Sequence, residues 1–158
     1  MAADKPENSQ PDMAPDPDTG VNSRVDVKIG FRCNNNCRFC VQGNKRYFLP
    51  RQEQGYVRKA LEDSAHTCDS VVFTGGEPTV QVAFLELVRH AADLGYRHIQ
   101  IQSNGRLFAD MDFCERTLVA GATEFSPALH GHIPELHDYL TRTPGSFKQT
   151  VAGIMNLK

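Results

Sequence analysis

Residues 70–78 read Ser-Val-Val-Phe-Thr-Gly-Gly-Glu-Pro, and this stretch decides the fold class. The apolar run from Val71 to Phe73 is typical of a buried strand in a parallel sheet. Two glycines end the run, and a proline suits the first turn of a helix. The stretch therefore predicts a strand over 70–74 and a helix that begins after Pro78.

The helix predicted after Pro78 carries apolar residues at helical spacing, and Gly95 supplies a left-handed stop. Its apolar positions are Val80, Phe84, Leu87, Val88 and Ala91.

Strand and helix patterns alternate on both sides of this unit. The predicted strands are Val25 to Gly30, His98 to Ser103 and Thr123 to Leu129; the predicted helices are Gln52 to His66, Asp110 to Ala120 closed by Gly121, and a last helix with a capping box of Ser146 and Gln149. In the strand at 98–103 we expect the isoleucines to face the helices and the glutamines to face the other way. Four strand-helix units imply an α/β fold with parallel strands, either an open sheet or a partial barrel, and place chemistry at the carboxyl ends of the strands.

The bulk composition favours one domain and names no partner. The chain has 158 residues, 40% of them hydrophobic, and a formal net charge of -2, so we expect no general affinity for nucleic acid or anionic membranes. The amino terminus does not resemble a secretory signal, and no apolar run reaches about 18 to 20 residues, which favours a cytoplasmic protein. Residues 1–24 are polar and rich in proline, which predicts a disordered tail before a core domain over 25–158.

Three of the five cysteines lie directly after the first predicted strand, in the sequence FRCNNNCRFC over 31–40. Cys33, Cys37 and Cys40 form a C-x3-C-x2-C spacing, and three thiolates on a short loop can hold an iron-sulfur cluster with one iron left open. A zinc ion completed by a distant histidine or cysteine fits the same spacing. The residues available to complete it are His66, Cys68, Cys114, His130 and His132.

The Gly-Gly-Glu-Pro sequence over 75–78 has two interpretations: a common turn with a helix-starting proline, or a site for a small-molecule ligand. A zinc site would need no such ligand, so the second interpretation favours the cluster. Glycines let a ligand approach the backbone closely, and Glu77 with the neighbouring carbonyls offers acceptors to an ammonium group.

Together the cysteine spacing, Phe39 before the last cysteine and the Gly-Gly-Glu-Pro turn resemble the radical S-adenosylmethionine (radical SAM) superfamily, from about residue 25 to the end of the chain. The resemblance implies a partial TIM-like barrel and an oxidoreductase or maturase type of enzyme. It implies a 4Fe-4S cluster whose open iron binds S-adenosylmethionine, reductive cleavage to a 5'-deoxyadenosyl radical, and hydrogen abstraction from a substrate that the motifs do not name. It also implies an external electron donor of the flavodoxin or ferredoxin type.

Carried over by position, the resemblance assigns roles to individual residues. The expected cluster ligands are Cys33, Cys37 and Cys40; the expected cofactor contacts are Phe39 near the adenine, Gly75, Gly76, Glu77 and Pro78 at the methionine amino group, Ser103 and Asn104 at the border of the cofactor or substrate, and Ser126 at a ribose or carboxylate. Ala128 stands where the family usually has a serine, so the register of this last contact is open.

The sequence departs from the family in length, because the family core typically has six strand-helix units and this chain supplies about four. We therefore expect a fragment or truncated product that binds a cluster poorly or lacks turnover alone. The alternatives are a non-catalytic zinc or iron-sulfur module, or a barrel completed by a separate polypeptide.

The remaining histidines and cysteines have two interpretations each. His130, His132 and His137 with Glu135 and Asp138 resemble a second metal site, but we expect a polar loop that opens a short helix at Pro134, with His137 on its exposed face and His130 at the substrate. Cys68 and Cys114 suit either an auxiliary cluster or small apolar positions, and we expect the latter.

Overall fold

The computed structural model describes residues 23–49 and 52–158. Residues 1–22 of the predicted disordered tail lie outside the described residues. The elements in chain order are β1 (Arg24–Lys28), α1 (Lys45–Phe48), α2 (Gln54–Ala65), β2 (Ser70–Thr74), a 3-10 turn (Pro78–Val80), α3 (Phe84–Asp93), β3 (His98–Ser103), a second 3-10 turn (Leu107–Ala109), α4 (Met111–Ala120), β4 (Glu124–Pro127), α5 (Pro134–Thr141) and α6 (Ser146–Asn156).

The four strands form one parallel sheet in the order β1-β2-β3-β4. The register pairs Lys28 with Thr74, and Ser103 with Pro127, so the carboxyl ends of neighbouring strands lie side by side. Helices connect the strands, which confirms the predicted α/β class and matches a partial barrel of four units.

The hydrophobic core lies between the sheet and helices α2, α3 and α4. Ile99 and Ile101 are buried in this core, as their alternation predicts, whereas Gln102 is exposed. The largest fully buried apolar side chains are Phe73, Phe84, Phe108, Leu61, Leu87, Ile99 and Ile101. One face of the sheet is therefore apolar and covered, and polar side chains stand on the other.

The sequence predicts a helix directly after Pro78, and the predicted start of this helix is wrong. A 3-10 turn covers Pro78–Val80, Gln81 is extended, and the α-helix begins only at Phe84. The carboxylate of Glu77 accepts the N–H of Thr79 and closes this short turn before an α-helix can propagate. From Phe84 onward the prediction holds, because Phe84, Leu87, Val88 and Ala91 are buried.

The predicted capping box of α6 is also wrong. Gly145 occupies the N-cap, and the hydroxyl of Ser146 donates to Asp138 Oδ1 at 2.9 Å. Asp138 also accepts the backbone N–H groups of Gly145 at 2.6 Å and Phe147 at 2.8 Å. A carboxylate of the preceding helix thus performs the capping that we expected from Ser146 and Gln149.

Among residues 23–49 and 52–158, no helix has the length and apolar character that crossing a membrane requires.

Candidate functional site

A cavity of about 300 Å³ lies at the carboxyl ends of β2 and β3, beside the loop that follows β1. The predicted site residues that line it are Cys33, Cys37, Phe39, Cys40, Gly75, Gly76, Glu77, Ser103 and Asn104. The structure therefore brings both sequence motifs to one cavity at the edge of the sheet where parallel folds build their sites.

The three cysteine side chains are partly buried in the wall of this cavity. Burial raises the pKa of the Cys33 thiol to about 11, although the N–H of Asn35 donates to its sulfur at 3.3 Å. Burial, together with the nearby Cys40, also raises the pKa of Cys37. Thiols with raised pKa values stay protonated at neutral pH unless a metal cation displaces the proton.

The loop over residues 31–40, called the cysteine loop below, is held by the carboxyl-terminal turn of α5. The N–H of Asn36 donates to the carbonyl of Thr141 at 2.9 Å, and the N–H of Arg38 donates to the carbonyl of Leu140 at 2.9 Å. The Arg38 side chain adds a bond to the carbonyl of Tyr139 at 3.0 Å and lies over its ring. The last carbonyls of a helix lack partners within the helix, so this loop supplies them.

Gly75 and Gly76 bring the turn after β2 into backbone contact with the start of the cysteine loop. The N–H of Gly76 donates to the carbonyl of Gly30 at 2.9 Å, and that of Glu77 donates to the carbonyl of Arg32 at 2.8 Å. A Cβ on Gly75 would lie 2.2 Å from the oxygen of Gly30, and one on Gly76 would lie 2.5 Å from the oxygen of Arg32. The two glycines are therefore required by the protein's own packing, in addition to any approach of a ligand.

Glu77 is 1% exposed and links the ends of β2 and β3. Its Oε1 accepts the hydroxyls of Thr79 at 2.6 Å and Ser103 at 2.7 Å, and its Oε2 accepts the N–H of Asn104 at 2.7 Å. Burial raises the pKa of this carboxyl, and the donors oppose that shift. Both oxygens are thus engaged by protein donors, and the ammonium contact that we predicted for this side chain would have to share them.

The segment after β3 reaches across to the cysteine loop, which sequence reasoning missed. The Asn104 amide donates to Asn34 Oδ1 at 2.6 Å. Arg106 donates to the carbonyl of Asn34, to Asn35 Oδ1 at 2.8 Å and to Gln149 Oε1 at 2.6 Å. An arginine two residues after a strand-end asparagine carries no sequence signal for this role.

Two predicted contact residues do not line the cavity. Pro78 is buried in the turn, and Ser126 is exposed on β4. Ala128 and His130, just beyond the end of β4, line the cavity instead. Ser126 thus does not line this cavity, and its contact with a cofactor stays a prediction.

His130 lies at the cavity, as expected, with its ring centroid 4.8 Å from that of Phe39. The prediction that His137 occupies an exposed helix face is wrong, because this residue is 0% exposed. Helix α6 packs against α5, and the Phe147 ring lies 5.8 Å from the His137 ring. His137 Nδ1 accepts the N–H of His130 at 3.1 Å, so the buried histidine supports the loop that carries His130.

Cys68 and Cys114 lie away from the cavity, in or against the hydrophobic core. Cys114 is 2% exposed, and its thiol donates to the carbonyl of Phe108 at 3.1 Å. These environments favour the interpretation of both residues as small apolar side chains.

In the part of the chain that the structure describes, no three Cys, His, Asp or Glu side chains lie close enough together to hold one metal ion. Three thiols that line one cavity are ligands of the type that either an iron-sulfur cluster or a zinc ion takes.

Comparison with known proteins agrees with this arrangement of motifs. A model of the Radical SAM superfamily matches residues 27–158. The chain belongs to the radical SAM superfamily. The match covers all four strand-helix units of this radical SAM domain except the first residues of β1.

Named relatives of this radical SAM chain include two kinds of enzyme. An AdoMet-dependent heme synthase of Oleidesulfovibrio alaskensis is 31% identical over 128 residues, which are 80% of this chain and 32% of the relative. A probable GTP 3',8-cyclase of Saccharolobus islandicus is 30% identical over 131 residues, 81% of this chain and 41% of the relative. A second heme synthase, from Methanosarcina barkeri, is 29% identical over 134 residues, 80% of this chain and 36% of the relative. The chain thus spans about a third to two fifths of the length of these relatives.

Proposed function

We propose that Cys33, Cys37 and Cys40 hold a 4Fe-4S cluster and that the cavity beside them binds S-adenosylmethionine. The observation that carries this proposal is the convergence of three thiols and the Gly-Gly-Glu-Pro turn on one cavity, in a chain of the radical SAM superfamily. When bound, the cluster and S-adenosylmethionine supply a 5'-deoxyadenosyl radical by reductive cleavage, and this radical abstracts hydrogen from a substrate.

The chain's own residues would orient these groups. The raised pKa values of Cys33 and Cys37 leave two protonated thiols that a cationic cluster can convert to thiolate ligands. Phe39 is half-exposed at the cavity and offers a ring face to the adenine. The carbonyls of residues 75–77 accept the methionine ammonium, while Ser103 and Asn104 border the cofactor from β3.

The proposal stops at cofactor chemistry, because relatives of almost equal similarity carry different activities. The heme synthase and the probable GTP cyclase share about 30% identity with this chain. What they have in common with it is the family, so the substrate here is a separate question.

The proposal also requires an electron and a reducing compartment. A flavodoxin- or ferredoxin-like donor would reduce the cluster by one electron. Thiols that serve as cluster ligands persist where glutathione and thioredoxin keep them reduced, which favours the cytoplasm.

Anaerobic reconstitution of the 158-residue chain with iron and sulfide tests the cluster. We expect about four irons and four sulfides per chain, with the absorbance and the reduced-state electron paramagnetic resonance signal of a 4Fe-4S cluster. The single variants Cys33→Ser, Cys37→Ser and Cys40→Ser should each lose most of this iron. The matched variant Cys68→Ser should keep it, because Cys68 lies outside the cavity.

Stoichiometric zinc without cluster absorbance would contradict the proposal and favour a zinc-binding module. Formation of 5'-deoxyadenosine under reduction is a separate readout, because the chain spans only 32% to 41% of the length of these relatives. A cluster without cofactor cleavage would therefore separate the binding proposal from the activity proposal.

A further inference from the structure

Asn35 lies in the middle of the cysteine loop and lines the cavity, yet it is only 5% exposed. Its backbone N–H donates to the sulfur of Cys33 at 3.3 Å. Asn35, the middle one of the three residues between Cys33 and Cys37, thus already directs its backbone donor at a cysteine sulfur.

The side chain of Asn35 has a fixed orientation. Arg106 donates to its Oδ1 at 2.8 Å, and because a guanidinium group carries donors only, the oxygen and not the amide nitrogen must face Arg106. Arg46 donates to the Asn35 carbonyl at 3.0 Å, which holds the backbone as well. Both arginines therefore lock the residue before any ligand arrives.

This orientation leaves the amide nitrogen of Asn35 without a partner. Within residues 23–49 and 52–158, Nδ2 is buried and makes no hydrogen bond. An unpaired buried amide donor costs about 1–3 kcal/mol, so such a group is retained where a bound partner satisfies it.

We infer that the Asn35 amide is a hydrogen-bond donor to an anionic acceptor bound in the cavity, with Arg106 as the positioning residue that aims it. This inference rests on the proposed function, in which the acceptor is either a sulfur of the cluster or the carboxylate of S-adenosylmethionine. Both are electron-rich groups that would stand beside Cys33, and both gain from a fixed neutral donor in a buried setting.

The two acceptors make different predictions. A donor to a cluster sulfur stabilises the more negative, reduced cluster and raises its reduction potential. A donor to the carboxylate tightens S-adenosylmethionine and leaves the potential of the cofactor-free cluster unchanged.

The experiment compares Asn35→Leu with Asn44→Leu in the reconstituted 158-residue chain. Leucine has a similar volume and no donor, and Asn44 is an exposed asparagine outside the cavity whose side chain caps no helix. The readouts are iron content, the reduction potential in a titration followed by electron paramagnetic resonance, and the dissociation constant of S-adenosylmethionine.

We expect Asn35→Leu to shift one of two equilibria about tenfold, with Asn44→Leu unchanged. In the cluster case the potential falls by about 59 mV, the one-electron equivalent of that factor. In the carboxylate case the dissociation constant of S-adenosylmethionine rises about tenfold.

A second pair of variants, Asn35→Asp and Asn44→Asp, tests the inference even if Asn35→Leu disrupts the cysteine loop. Aspartate at 35 keeps an oxygen for Arg106 and removes the N–H donors, and the Asn44 variant controls for the added charge. If both Asn35 variants keep a full cluster and change neither the reduction potential nor the dissociation constant of S-adenosylmethionine, the inference is wrong and the proposed function stands. A wild-type chain without a cluster overturns the proposed function, and the inference with it.

Discussion

Replacement of Gly76 by alanine should destabilise the fold through the cysteine loop. The new Cβ would lie 2.4 Å from the oxygen of Phe31 and 2.5 Å from that of Arg32, and these backbone atoms have no flexible end that can move aside. The same contact carries the hydrogen bonds from Gly76 to Gly30 and from Glu77 to Arg32. Two hydrogen bonds at about 1 kcal/mol each, with at least about 1 kcal/mol for the overpacked loop, give a loss of about 3 kcal/mol in the free energy of unfolding.

Urea denaturation followed by far-ultraviolet circular dichroism measures this loss, and Gly55→Ala is the matched control. Gly55 lies in the first turn of α2 with no atom within 4 Å of a built Cβ. Alanine there should raise the free energy of unfolding by up to about 1 kcal/mol, because it favours the helix. If Gly76→Ala stays within about 0.5 kcal/mol of the wild type, the change expected of an ordinary surface substitution, the reasoning about this contact is wrong.

Two further predictions concern Asp138 and Cys33. Asp138→Ala should lower the free energy of unfolding by about 1–2 kcal/mol, because α6 loses its cap. Desolvation raises the pKa of the Asp138 carboxyl, but the hydrogen bonds from Phe147, Gly145 and Ser146 outweigh it and lower the pKa. The stability that the carboxylate contributes is therefore present above the ordinary pKa of 3.8 and is lost as the pH falls through the lowered pKa. Urea denaturation of wild type and variant at several pH values checks this, and a stability difference that persists into strong acid would contradict it. In the metal-free chain Cys33 should react with iodoacetamide at neutral pH about tenfold more slowly than an ordinary thiol. Its pKa rises from 9.0 to about 11, which lowers the thiolate fraction about 100-fold, while the more basic thiolate is about tenfold more nucleophilic. Peptide mapping by mass spectrometry measures the rate, and equal rates in the native and the urea-unfolded chain would refute the prediction.

The sheet was predictable because its signals are local. The run from Val71 to Phe73 and the alternation of Ile99 and Ile101 gave the bounds of β2 and β3 as the structure has them. The positive φ of Gly95 and Gly121 also agrees with the predicted helix stops. Periodicity and backbone chirality act within a few residues, so the sequence alone carries them.

The errors arose where another element supplied the partner. Ser146 and Gln149 have the spacing of a capping box, but Asp138 of the preceding helix accepts the N–H groups of Gly145 and Phe147 at the start of α6. His137 was placed on an exposed face because the pattern of α5 does not say that α6 will cover it. Packing of one helix on another decides such cases, and helical spacing alone does not.

In the candidate site too, some residues were predictable from local patterns and others were not. Spacing identified Cys33, Cys37 and Cys40, and the structure gathers them at one cavity. The contact of Arg106 with Asn35 spans 71 positions in the sequence, and no local pattern announces it. Motifs thus name the groups that carry chemistry, while the side chains that hold them in place emerge only from the fold.

The anchoring of the cysteine loop sets an order of events during synthesis. Arg38 is bonded to Tyr139, 101 positions later, and Asn34 is bonded to Asn104, 70 positions later. Contacts of such sequence separation form only after both partner segments have been synthesised. A ribosome must therefore release α5 before the loop acquires its final shape, and iron delivered to the three thiols before that point would meet a loop that these contacts do not yet shape.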